Sequence, residues 1–134
     1  MVDAYAGIGI FAGTIGRGRT VHAIERDTDS LADARINLDE DRVKIVGSAV
    51  ENWKAVHAAV VVADPAREGL GKAGVQTLMG CQPELLVLIG CDPGSFARDA
   101  GLLSASGLRL DRVTVVDMFP GTSHIETVGA FVPA

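Results

Sequence analysis

Three places in the chain set reactive side chains at the end of a strand-like run. The first is Leu85–Pro93, LLVLIGCDP, where five apolar residues lead through Gly90 to Cys91. An all-apolar run of that length reads as a strand buried on both faces. Gly90 lets the backbone leave the sheet, and Asp92 and Pro93 read as N-cap and first residue of the next helix. A thiol in a strand-to-helix turn faces the positive end of a helix dipole, which favours the thiolate and nucleophilic chemistry. The competing reading is a small core residue, the usual fate of free cysteine. The second place is Ala59–Ala63, which runs into Asp64-Pro65-Ala66-Arg67-Glu68-Gly69-Leu70. A carboxylate and a guanidinium at a strand's carboxyl end lie where ligands bind in open α/β sheets; the alternative is a loop ion pair. The third is Val21–Ile24, ending at Glu25. That acid lies about 20 residues past Gly7-Ile8-Gly9, where it is placed to accept ribose hydroxyls. The glycines let the backbone approach a ligand closely. Turn and acid together point to an adenosine-containing ligand, against the alternative of a solvated strand-end glutamate. The third glycine of GxGxxG is lacking, so a plain dinucleotide fingerprint fits poorly.

The elements that must position these groups follow from the pattern. Met1–Tyr5 reads as the tail of a first strand, followed by a helix over Ile10–Ile15. After Glu25, Asp29 or Ser30 can cap a helix whose Leu31, Ala34 and Leu38 share one face. Val43–Val46 is a third strand, and Ser48–Trp53 a loop with a helical turn, Trp53 being placed in the core. Lys72–Met79 is a helix. Phe96, Ala100 and Leu103 form a helical stripe that Gly107 ends. Leu108–Asp117 and Ile125–Val132 are strands separated by the Met118–Ser123 turn, so they pair as an antiparallel hairpin. His124 and Glu126 flank the start of the last one. The order is β-α five times and then a hairpin, which predicts an open, mostly parallel sheet with an antiparallel edge.

Composition narrows the function. The 134 residues suffice for one domain with a substantial core. A net charge of −5 excludes a surface that is basic throughout, so a nucleic-acid partner needs a local patch or another domain. The two cysteines suggest neither a disulfide framework nor a CxxC metal site. No apolar run reaches membrane-spanning length, and the start does not resemble a signal peptide; a cytoplasmic location is expected.

The segments DAYAGIGIF, DPAREGL, GCDPGSFARD and DMFPGTSHIET resemble, in order and spacing, the RNA (uracil-C5) methyltransferases, which make 5-methyluridine in tRNA and rRNA. The resemblance covers essentially the whole chain. It implies the class I S-adenosylmethionine-dependent methyltransferase fold, that cofactor, and an RNA substrate. It implies that Cys91 is the nucleophile, Glu126 the general base, and Asp64 a group on the uracil edge or its developing oxyanion. Tyr5, Gly7, Gly9, Ile10, Glu25, Ser48 and Asp64 match positions around the cofactor, and Arg67 and Pro93 positions on the substrate side. His124 is a rival base, since imidazole titrates near neutral pH. The chain departs from the family in having Gly90 where serine is usual, Ala6 where cysteine is common, and no acid near Ser48. The family's upstream cofactor-binding segment and OB-fold domain have no counterpart. Met1 falls inside the first strand, so the chain is expected to be the C-terminal catalytic part of a longer protein, with RNA held mainly by domains missing here. Two other readings stay open: a class I methyltransferase with another substrate, and a non-catalytic interaction module.

Overall fold

The computed structural model describes every residue except Glu40, Phe119, Ser123 and His124. Seven strands form one sheet in the order β3-β2-β1-β4-β5-β7-β6. They are β1 (Val2–Ala4), β2 (Val21–Glu25), β3 (Val43–Gly47), β4 (Val60–Ala63), β5 (Leu85–Gly90), β6 (Leu108–Val116) and β7 (Glu126–Pro133). The first five are mutually parallel; β7 lies antiparallel to both β5 and β6. The chain winds outward from β1 to β3, then crosses back to place β4 on the other side of β1. The crevice between the carboxyl ends of β1 and β4 is the position where open α/β sheets hold ligands.

Helices α1 (Ile10–Gly13), α2 (Thr28–Asn37), α3 (Gly71–Met79) and α4 (Pro93–Ala105) complete the fold, with a 3-10 turn at Val50–Asn52. Two clusters of buried residues mark the two faces. The larger joins α3 and α4 to the sheet through Val75, Leu78, Phe96, Leu103 and Phe131, with Trp53 packed against it as expected. The smaller holds Ala12, Ala34 and Leu38 against β2 and β3.

Several expectations need correction. The helix after the glycine turn stops at Gly13 rather than Ile15. There the Thr14 hydroxyl bonds back to the Ile10 carbonyl at 2.6 Å, competing with further helical bonds. The cap of α2 is Asp27, not Asp29 or Ser30: its extended backbone lets the carboxylate accept from the Ser30 amide at 2.8 Å. Strand β5 is not equally buried on its two faces. Leu86 and Leu88 are fully buried, whereas Leu85, Val87 and Ile89 are half-buried. The smaller cluster, with α1 and α2, lies over β2 and β3 and does not extend to β5.

Candidate active site

The sequence places glycines where the backbone must turn sharply after β1, and the geometry shows why. Gly7 has φ +54° and Gly9 φ +90°, both in the left-handed region. A Cβ on Gly9 would stand 2.6 Å from the Leu38 side chain, so any other residue there forces Leu38 to shift as well as straining the backbone. Tyr5 also has positive φ, +63°, and its hydroxyl donates to Oε1 of Glu51 at 2.8 Å. Burial, and then that bond, push the Tyr5 phenol up.

Glu25 ends β2, as expected, and its carboxylate is already engaged. Oε2 accepts from the Gly7 amide at 2.9 Å, and Oε1 from the amides of Arg26 and Asp27 at 2.7 and 2.8 Å. The acid therefore fixes the glycine turn. Of the roughly four acceptor sites of a carboxylate three are taken, which leaves one on Oε2 for a ribose hydroxyl. Beneath the turn Asp3 is fully buried. Its Oδ2 accepts from the Ala12 amide at 2.8 Å, while Oδ1 has no partner among the described residues. Burial raises its pKa to about 7.

A cleft of about 480 Å³ opens at the carboxyl ends of β1, β2, β3 and β4. Of the residues singled out in the sequence, Tyr5, Glu25, Ser48 and Asp64 line it. Gly7, Gly9 and Ile10 do not; they shape the turn above it. Ser48 donates its hydroxyl to the Ala49 carbonyl at 2.9 Å, which leaves its oxygen as an acceptor. Glu51 and Glu68 also line the cleft. They were missed because they lie in connections without periodicity; their only signal was a position just past a strand's carboxyl end.

Cys91, Glu126 and Asp64 converge on the adjoining end of the sheet. Asp64 follows β4 directly, and Cys91 follows β5. In the β5–β7 ladder Ile89 pairs with Val128 and Gly90 with Thr127. Continued by one step, that register sets Cys91 opposite Glu126, and opposed residues of antiparallel strands share a face. Glu126 is half-buried. Burial raises its pKa, and the charge of Asp64 raises it further. Asp64 is exposed, yet the protein around its carboxyl raises its pKa too. Cys91 is half-buried and Cys81 fully buried; both are free. His124 lies outside the described residues.

Pro93 opens α4 as its first residue, and Asp92 caps it, accepting from the Ser95 amide at 2.8 Å. That bond, first among the causes, holds the Asp92 carboxyl below the usual range. Arg67 pairs with Asp92, Nε to Oδ1 at 3.8 Å. It thus ties its own loop to the turn that carries Cys91.

No protein-family model matches the chain. It is 41% identical over 138 residues to an uncharacterized RNA methyltransferase of Corynebacterium efficiens, covering 96% of this chain and 32% of that protein. It is 38% identical over 145 residues to one from Staphylococcus aureus, covering 98% and 31%. Among solved structures it is similar to the Pyrococcus abyssi tRNA (uracil-54, C5)-methyltransferase in complex with S-adenosyl-L-homocysteine. The TM-score is 0.86 at 29% identity, covering 98% of this chain and 33% of that one. The chain spans about a third of the length of these relatives.

Proposed function

From a chain related over nearly its whole length to RNA methyltransferases, and built on the class I methyltransferase fold, we propose an S-adenosylmethionine-dependent enzyme that methylates C5 of a uridine in RNA. The observation that carries this reading is the β5–β7 register, which pairs Gly90 with Thr127, the neighbours of Cys91 and Glu126, at the sheet end where the Asp64 charge reaches Glu126. Most methyl transfers need no thiol, and a thiol paired with a carboxylate suits a carbon that must first be made nucleophilic and later lose a proton.

The cleft suits the cofactor in chemistry: Glu25 offers an acceptor for the ribose and Ser48 a hydroxyl oxygen, next to the turn that Gly7 and Gly9 shape. When bound, the cofactor supplies an electrophilic methyl group. The chain's own residues do the rest. The Cys91 thiolate adds to C6 of the uracil, and the electron pair of the C5–C6 bond moves toward O4. Asp64, as a carboxylate, accepts from the N3–H on the uracil edge and so holds the base in place. C5 then takes the methyl group, and the C6–sulfur bond persists. Glu126 removes the C5 proton, the C5–C6 double bond re-forms, and the Cys91 thiolate leaves. The base must leave its stack to reach such a recess. On this reading the partner is tRNA or rRNA, the compartment is the cytoplasm, and residues 1–134 are one catalytic domain.

The test is tritium release from RNA carrying 5-tritiated uridine, with and without S-adenosylmethionine. Cofactor-dependent release is expected. Binding of S-adenosylhomocysteine without release would overturn the uridine reading and favour another methyl acceptor. Affinity for S-adenosylhomocysteine that Glu25→Ala leaves untouched would overturn the ribose assignment.

A further inference from the structure

The loop that carries Asp64 and Arg67 is fastened to α4 by two residues that neither the cleft nor the catalytic trio includes. Asp99 is fully buried. Its Oδ2 accepts from the Leu70 amide at 2.6 Å and its Oδ1 from the Gly71 amide at 3.1 Å. Arg98 donates to Oδ1 of Asp99 from Nε at 3.0 Å and from Nη2 at 2.9 Å. The same Nη2 donates to the Glu68 carbonyl at 2.6 Å. Between these anchors Gly69 has φ +75°, and a Cβ there would run into Oδ2 of Asp99 and stand 2.8 Å from Arg98 Nη2. The buried carboxylate is matched by one guanidinium and two amides, the condition under which such a charge is tolerated.

These bonds do more than close a loop. Glu68, whose carbonyl Arg98 holds, lines the cleft with Gly69. Arg67 reaches from the same loop to Asp92, beside Cys91. The loop therefore touches α4 twice, at its cap and at Arg98-Asp99, and Cys91 immediately precedes that helix's cap.

We infer that Arg98 and Asp99 are positioning residues: they fix the Asp64–Arg67 loop to the helix that Cys91 introduces, so that the two halves of the site hold one spacing. The inference rests on the reading of Asp64 and Cys91 as parts of one site. Neither residue touches the reacting atoms; both act through the backbone of residues 68–71. Without the anchor, the loop is expected to release Arg67 from Asp92, and the turn that carries Cys91 to loosen with it.

The experiment uses the 134-residue chain, iodoacetamide, and peptide mass spectrometry to read the two cysteines separately. Cys81 is fully buried, so its labelling reports unfolding, whereas Cys91 labelling reports the turn as well. Arg98→Ala and Asp99→Asn are compared with Leu103→Ala, which empties a fully buried position of the same helix away from the loop. Cys91 labelling is expected to rise about 3- to 30-fold in the first two variants without a matching rise at Cys81. Leu103→Ala is expected to move both cysteines together. An unchanged Cys91 rate in both variants, or a rise only in step with Cys81, would overturn the inference. Binding of S-adenosylhomocysteine, measured in parallel, separates the two claims. Its absence in the unaltered chain would overturn the cofactor cleft proposed for residues 1–134, while the labelling ratio still decides the anchor.

Discussion

The charge of Asp64 reaches Glu126. Burial raises the Glu126 pKa first, and the Asp64 carboxylate raises it further. On the proposed mechanism Glu126 is the base and must be ionised, so its raised pKa sets an acid limb in the pH profile of turnover. Removing the like charge lowers that pKa. Asp64→Asn is therefore expected to move the acid limb down by a few tenths to about one pH unit, whatever it does to the plateau rate. A limb that stays in place or moves up, read from the rate of tritium release from 5-tritiated uridine between pH 4 and 8, would separate the two carboxyls.

Asp3 makes a prediction about folding. Its pKa rises from 3.8 to about 7 in the folded chain, chiefly by burial. A raised carboxyl pKa means the folded state binds the proton more tightly, so stability is full below pH 4 and falls as pH rises toward 7. Each pH unit is worth about 1.36 kcal/mol, which sets the loss at up to about 4 kcal/mol. Asp3→Asn keeps an acceptor for the Ala12 amide and abolishes the titration. Urea melts at pH 4 and pH 8 should show a smaller difference for the variant than for the parent chain. An equal difference would place the titration elsewhere.

Gly9 tests the turn above the cleft. Two separate penalties meet there: a left-handed φ of +90°, and a Cβ position 2.6 Å from the Leu38 side chain. Gly9→Ala is expected to cost about 1–3 kcal/mol. Adding Leu38→Ala removes the overlap but not the backbone cost. The double variant should thus lose less than the sum of the two single losses, by about 0.5 kcal/mol or more. Simple additivity in thermal melts would show that the turn yields without touching Leu38.

The sequence was most legible where an element repeats a pattern. The apolar runs located the strands β2 to β5 to within a residue or two, and the short spacing before the last strand foretold the antiparallel β6–β7 pair. Local capping was less legible, because Asp27, Asp29 and Ser30 are all good caps and only the backbone at Asp27 decides among them. The lining of the cleft by Glu51 and Glu68 was not visible, since neither belongs to a periodic segment. Asp99 did leave a trace. It stands three residues after Phe96 and four before Leu103, on the buried stripe of α4, where a carboxylate must find partners. The pairing of Arg67 with Asp92 rather than Asp64 depends on how two loops meet, which no single stretch encodes.

The division of labour between Cys91 and Glu126 is the most exposed claim. The register pairs their neighbours Gly90 and Thr127 at one end of the sheet, but the proposed roles fall at different times. Cys91 must add before any methyl transfer, so Cys91→Ala should abolish both methylation and any covalent protein–RNA species. Glu126 acts after transfer. In Glu126→Gln the methyl group is delivered once, the C5 proton stays, and the C6–sulfur bond cannot be released. Incubated with substrate RNA and S-adenosylmethionine, this variant should accumulate an adduct that survives a denaturing gel, with turnover reduced about 10²- to 10⁴-fold. His124 is the other base in the segment, and its imidazole titrates in the useful range. His124→Ala should turn over and leave no trapped species. Trapping by His124→Ala and not by Glu126→Gln would reverse the assignment. Trapping by neither, with Cys91→Ala still active, would remove the thiol from the reaction.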